Sequence, residues 1–81
     1  MLLYYRYTVY IDEGRTSPCF HAYVGAEREA DARGMLREEL KQIPAFLRIS
    51  EAESPVREVP SNMPYEHLPT PSSNVHLFKV A

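Results

Sequence analysis

The chain has 81 residues, a length that fits one domain and limits the size of its hydrophobic core. Nine Lys and Arg against eleven Asp and Glu give a net charge of −2, with 44% hydrophobic and 25% charged residues. This balance excludes a disordered polyelectrolyte, a collagen-like chain and a strongly basic nucleic-acid binder. We therefore interpret residues 1–81 as a single folded domain whose small core favours oligomerisation.

The composition also predicts a location for the protein. The single cysteine, Cys19, has no partner for an internal disulfide, which is typical of a reducing compartment. No segment resembles a cleavable leader, and no apolar run approaches the ~20 residues that a membrane span needs. We therefore expect a cytoplasmic protein without a membrane partner.

The chain begins with two predicted β-strands. Residues 2–12 are rich in aromatic and β-branched side chains, and the odd positions from Leu3 to Ile11 are all apolar or aromatic. This alternation predicts that the odd side chains enter the core and the even ones lie on the opposite face. A second strand, at about residues 17–24, alternates likewise, and residues 12–15 supply the turn of an antiparallel hairpin. Its expected core-facing residues are Phe20, Ala22 and Val24.

One helix is predicted over residues 27–43, where apolar side chains recur with helical spacing. The predicted core-facing stripe is Ala32, Met35, Leu36, Leu40 and Ile43. Gly25 is interpreted as the N-terminal cap and Pro44 as the residue that stops the helix. Gly34 costs the helix about 0.5–1 kcal/mol relative to alanine, and we interpret it as allowing close approach to the sheet.

The second half of the chain is predicted to contain two further strands, at residues 46–50 and 75–80. A short extended piece at residues 56–59 lies between Pro55 and Pro60. Residues 60–74 contain four prolines and are predicted to form a long loop. This loop could pack along its own domain, wrap a neighbouring molecule or stay mobile, and the sequence leaves all three open.

The predicted order of elements is strand, strand, helix, strand, long loop and strand. A single helix covers only one face of a four-stranded sheet, so we expect an α+β two-layer sandwich with the other face open. The sheet is expected to be antiparallel or mixed, and a right-handed crossover would place the third strand parallel to the second. The simplest spatial order is then 2-1-3-4.

The open face is the candidate interaction surface. Its predicted members are Tyr4, Arg6, Thr8 and Tyr10 of the first strand and His21 and Tyr23 of the second, with Cys19 nearby. Exposed aromatic residues on one face mark interaction sites, and tyrosine combines apolar area with a polar tip. We expect a homodimer through this face, burying about 1,600 Å² in total, or binding of another protein. The alternatives are cover by residues 60–74 and a platform for nucleic acid or a small ligand.

Other kinds of site lack their sequence signatures. Cys19 and His21 lie two residues apart on one strand, with His76 as a further candidate, but the usual spacings of four zinc ligands are absent. We therefore predict no metal and no cofactor. No carboxylate dyad, nucleophile elbow or phosphate-binding glycine loop predicts an enzyme. The negative charge and the missing RNA-recognition signature predict no nucleic-acid partner.

The sequence thus favours a protein that acts by binding, with self-association as the first expectation. One alternative is an accessory protein of a phage or another mobile element that inhibits or adapts a host protein, since small acidic α+β proteins are common there. A second alternative is a small enzyme or ligand carrier with a pocket between the sheet and residues 60–74.

Overall fold

The computed structural model describes residues 2–11, 19–42, 47–68 and 70–80. They form one helix and a six-stranded sheet in which every strand pair is antiparallel. The elements in chain order are β1 (Leu3–Ile11), β2 (Phe20–Ala26), α1 (Glu29–Leu40), β3 (Leu47–Ile49), β4 (Glu53–Val56), β5 (Glu66–Leu68) and β6 (Val75–Lys79). The order across the sheet is β3-β1-β2-β6-β5, and β4 also pairs with β1. The predicted α+β class with one helix is confirmed.

The sheet differs from the predicted four-stranded one in strand number and in order. The two additional strands are β4, which begins before the expected extended piece at 56–59, and β5, which lies within residues 60–74. The predicted order 2-1-3-4 is wrong, because the last strand pairs with β2 rather than with the third strand. Both additional strands are short and mostly exposed, and β4 contains Pro55. Neither therefore carries the hydrophobic alternation that predicts a strand.

The predicted hairpin forms the centre of the sheet. β1 and β2 pair from Leu3 opposite Ala26 to Val9 opposite Phe20. Tyr7 and Val9 of β1 are completely buried in the core beneath the helix and Tyr5 packs against it, as the alternation predicts. The turn at 12–15 and the start of the second predicted strand at 17–18 lie outside the described residues.

The helix α1 covers one face of the sheet and supplies three of the ten residues of the core cluster. Ala32, Leu36 and Leu40 are buried and Met35 packs beside them, which confirms the described part of the predicted stripe. Their partners in the sheet are Tyr7, Val9, Ala22, Val24, Val75 and Leu77. Ile43 and Pro44 lie outside the described residues.

The helix begins later than the sequence predicts. Arg28 is the N-cap, in extended conformation and without a side-chain capping bond, whereas Gly25 lies inside β2. The prediction that Gly25 caps the helix is therefore wrong. The role predicted for Gly34 is also wrong, because this residue is exposed and a Cβ atom there would meet nothing within 4 Å. Gly34 consequently lies on the solvent side of the helix and makes no close approach to the sheet.

The only helix of the described ranges is too short and too polar to cross a bilayer.

Candidate interaction surface

The structure places the six predicted surface residues on one face of the sheet, opposite α1. Direct cross-strand pairing of Arg6 with Tyr23 and of Thr8 with His21 sets this common orientation, since paired residues share a face. The four residues from β1 are partly exposed. His21 and Tyr23, however, are only 9% and 5% exposed. The expectation that these two side chains lie on an open surface is therefore wrong.

The burial of His21 and Tyr23 follows from the path of the chain between β4 and β5. Val56, the last residue of β4, pairs with Tyr4 near the start of β1. Glu66, the first residue of β5, pairs with Lys79 on the far side of the sheet, at the level of Val9. Residues 57–65, called here the crossing segment, must therefore pass from one edge of the sheet to the other and from one end to the other.

The length of the crossing segment fits a direct diagonal. Four strand spacings of ~4.8 Å and five residues of ~3.4 Å give a diagonal of about 26 Å. The ten residue steps from Val56 to Glu66 can span at most about 33–36 Å. Pro60 and Pro64 lie within this segment, and proline favours the extended backbone that such a path needs.

The aromatic contacts show which face the crossing segment covers. The ring of Tyr65 lies 5.2 Å from the ring of His21, centroid to centroid, on the face opposite the helix. Tyr23 is held from the side by Phe78, with ring centroids 5.9 Å apart and planes perpendicular. β2 is consequently covered on both faces, and all its residues from His21 to Ala26 are buried. Of the three possibilities that the sequence leaves open for the proline-rich region, packing on its own domain applies to Tyr65.

The His21 ring lies in an environment that disfavours its charged form. Burial is the main cause that lowers its pKa, and the Arg6 guanidinium lowers it further, while Glu53 acts in the opposite direction. Arg6 and Glu53 form an ion pair at 3.1 Å beside it. Among the described residues, His21 Nδ1 is a buried atom without a hydrogen-bond partner. Burial without a partner for this nitrogen costs less for a neutral imidazole than for a charged one, so the neutral form is favoured.

The uncovered part of the face is divided by the diagonal into two corners. The first, called here the apolar corner, consists of Leu2, Tyr4 and Val56. Leu2 and Val56 are 43% and 39% exposed and are the exposed large hydrophobic residues of the described ranges. Both lie beside Tyr4: Val56 is its cross-strand partner, and Leu2 and Tyr4 cover Gly25 together. A Cβ at Gly25 would approach Tyr4 to 2.9 Å, so glycine leaves room for the ring there.

The second corner is more polar. The Arg48 guanidinium lies 4.2 Å from the centre of the Tyr10 ring, in a cation–π contact that covers the ring. Thr8 is bound to the edge of the sheet, since its backbone N–H donates to Ser50 Oγ at 2.9 Å. Thr8 and Tyr10, two of the predicted surface residues, are therefore engaged within the chain more than the sequence predicts.

The sequence interpretation missed that all three histidines lie on this face. His76 pairs with Tyr23, and His67 pairs with Phe78, which pairs with His21. The alternation of β6 is the signal that could have placed His76 and Phe78 together, whereas β5 gave no signal for His67. His67 and His76 border an open depression of about 370 Å³, whose other lining residues are Thr70, Ser72, Ser73 and Val75.

The weighed metal candidates Cys19, His21 and His76 do not form a ligand cluster. In the ranges that the structure describes, no group of three or more His, Cys, Asp or Glu side chains could hold a metal ion. His76 contacts His67 and Tyr4 instead of His21.

Comparison of the chain with protein-family models, with curated proteins and with solved structures finds no match.

Proposed function

We propose that this protein acts by binding and that it self-associates through the apolar corner of Leu2, Tyr4 and Val56. The observation that carries this proposal is the position of the exposed hydrophobic side chains. Leu2 and Val56 are exposed large hydrophobic residues, and each lies beside the half-buried Tyr4. Contiguous apolar groups on a surface are unfavourable in water and favour an interface that removes them from it.

A second copy of the chain is the occupant that needs the fewest assumptions. A two-fold axis through the apolar corner would place apolar groups against apolar groups, because a symmetric interface uses the same patch twice. The charged pair beside Tyr4 in the sheet does not oppose this arrangement, since Arg6 and Glu53 form an ion pair with each other. Tyr4 would lie near the axis and contribute both ring area and a hydroxyl.

The crossing segment reduces the size of the proposed interface. Because His21 and Tyr23 are covered, a second copy of the chain would contact mainly β1 and β4 rather than the whole face of the sheet. We therefore propose an interface below about 1,200 Å², the range of weak and transient complexes, instead of the larger interface that the sequence suggests.

The oligomeric state tests the proposal. Sedimentation equilibrium of the wild type, measured up to high micromolar concentration, is expected to show a concentration-dependent dimer. Val56→Glu introduces a charge into the apolar corner at an exposed position and is expected to abolish the dimer while the circular dichroism spectrum is unchanged.

Ala30→Glu is the matched control, because it adds the same charge at an exposed position of α1. It is expected to dimerise as the wild type does. A wild type that remains monomeric throughout contradicts the proposal, and so does equal dimerisation of the Val56→Glu variant.

A further inference from the structure

His67 and His76 form a pair of imidazoles at the border of the open depression. His67 Nε2 lies 3.4 Å from His76 Nδ1. His67 is exposed and His76 is half-buried, so solvent reaches the pair. At this distance either ring can donate a hydrogen bond to the other, depending on which of its nitrogens carries the proton. The two nitrogens are therefore close enough to bind the same ion.

The separation of the two nitrogens has the value that a tetrahedral metal requires. Two imidazole ligands at a Zn–N distance of ~2.05 Å and a tetrahedral angle are about 3.3–3.4 Å apart. A right-angled arrangement at the same bond length would bring them to about 2.9 Å, so the observed distance of 3.4 Å is closer to the tetrahedral value that zinc prefers.

Aromatic neighbours hold both imidazoles in place. His67 is stacked on Phe78, with centroids 5.0 Å apart and an angle of 22° between the planes. The Tyr4 ring meets His76 nearly edge-on, with centroids 5.9 Å apart. Rings fixed in this way lose little rotational freedom when they bind a metal, which favours binding.

We propose that His67 and His76 bind a zinc ion as a two-histidine site, with its remaining coordination positions open to water or to a ligand from outside the chain. The described residues offer no third His, Cys, Asp or Glu side chain to complete a larger group. The site is therefore weaker than a structural zinc site with four protein ligands, and it keeps the open positions that such sites lack. This inference does not depend on self-association through the apolar corner.

Zinc titration of the wild-type protein tests the proposal by calorimetry and by NMR of the histidine ring nitrogens. We expect one zinc ion per chain and shifts of the ring nitrogens of His67 and His76. His21 serves as an internal control in the same spectra, because its ring is buried under Tyr65 and is expected to keep its shifts. Absence of shifts at His67 and His76 in excess zinc would overturn the proposal, whichever state of association the chain adopts.

A pair of variants provides the second measurement. His67→Gln removes an exposed ligand and is expected to weaken zinc binding by about tenfold or more, since even the loss of a residue that only supports a ligand costs that much. Glu66→Gln is the matched control, because it alters the adjacent exposed residue on the opposite face of β5 and is expected to bind as the wild type does. Equal affinity of the His67→Gln variant and the wild type contradicts the site.

Discussion

Removal of the Tyr65 ring measures how far the crossing segment covers the sheet. Tyr65 is half-buried, and its ring lies 5.2 Å from that of His21. Loss of ~100 Å² of buried area at ~25 cal/mol per Å² gives about 2.5 kcal/mol as an upper value, because the unfolded chain also buries some area. Tyr65→Ala is therefore expected to lower the free energy of unfolding by about 1–3 kcal/mol, from a total of about 4–12 kcal/mol for a chain of this length.

The same variant has a second, more specific effect on His21. Burial is the main cause of its lowered pKa, so exposure of the ring should raise that pKa towards its ordinary value, while Arg6 and Glu53 continue to act on it. In the wild type the lowered pKa means that the folded state binds fewer protons than the unfolded one. Its contribution to stability is then complete above the unfolded pKa of about 6.5 and is lost as the pH falls through the folded pKa.

Urea denaturation and an NMR titration of the His21 ring measure both effects. Tyr65→Ala is expected to raise the pKa of His21 and to flatten the fall in stability below pH ~6.5. Tyr65→Phe is the control, because it keeps the ring and is expected to keep the pKa. An unchanged pKa of His21 in a folded Tyr65→Ala variant would refute the conclusion that the crossing segment buries this residue.

Two further predictions concern the helix. Leu36 is completely buried between α1 and the sheet, so Leu36→Ala is expected to lower the free energy of unfolding in urea by about 2–5 kcal/mol. Arg37→Ala, at the exposed neighbouring position, should change it little, and equal urea midpoints of the two variants would contradict the assigned core face. Gly34 is exposed, and a Cβ there would meet nothing, so Gly34→Ala is expected to raise the free energy of unfolding by about 0.5–1 kcal/mol in the same assay. A lower urea midpoint than the wild type would contradict this and show that the fold requires glycine at this position.

Several features of the fold could be predicted from the sequence because they depend on local periodicity. The alternation of β1 places Tyr7 and Val9 in the core, and the helical spacing places Leu36 and Leu40 against them. The same alternation assigns Tyr4 and His21 to the face opposite the helix. In each case the repeat of the backbone fixes where a side chain points, whatever the rest of the chain does.

Burial of the predicted surface could not be read from the same pattern. His21 and Tyr23 point away from the helix as predicted, yet a segment more than thirty residues later in the chain covers them. β4 and β5 have no alternation, because they are short strands that pair through backbone hydrogen bonds at the edges of the sheet.

The sequence by itself determined the α+β class, the central hairpin, the core-facing side of the helix and the face of the sheet on which the side chains of residues 4–10 and 20–24 lie. The tertiary structure alone decided the strand order, the burial of His21 under Tyr65 and the contact between His67 and His76. These last features depend on where β4 and β5 pair, on opposite edges of the sheet, and on the path that residues 57–65 must take between them. Contacts between residues far apart in the chain leave no periodic trace in either segment, so only the folded molecule shows them.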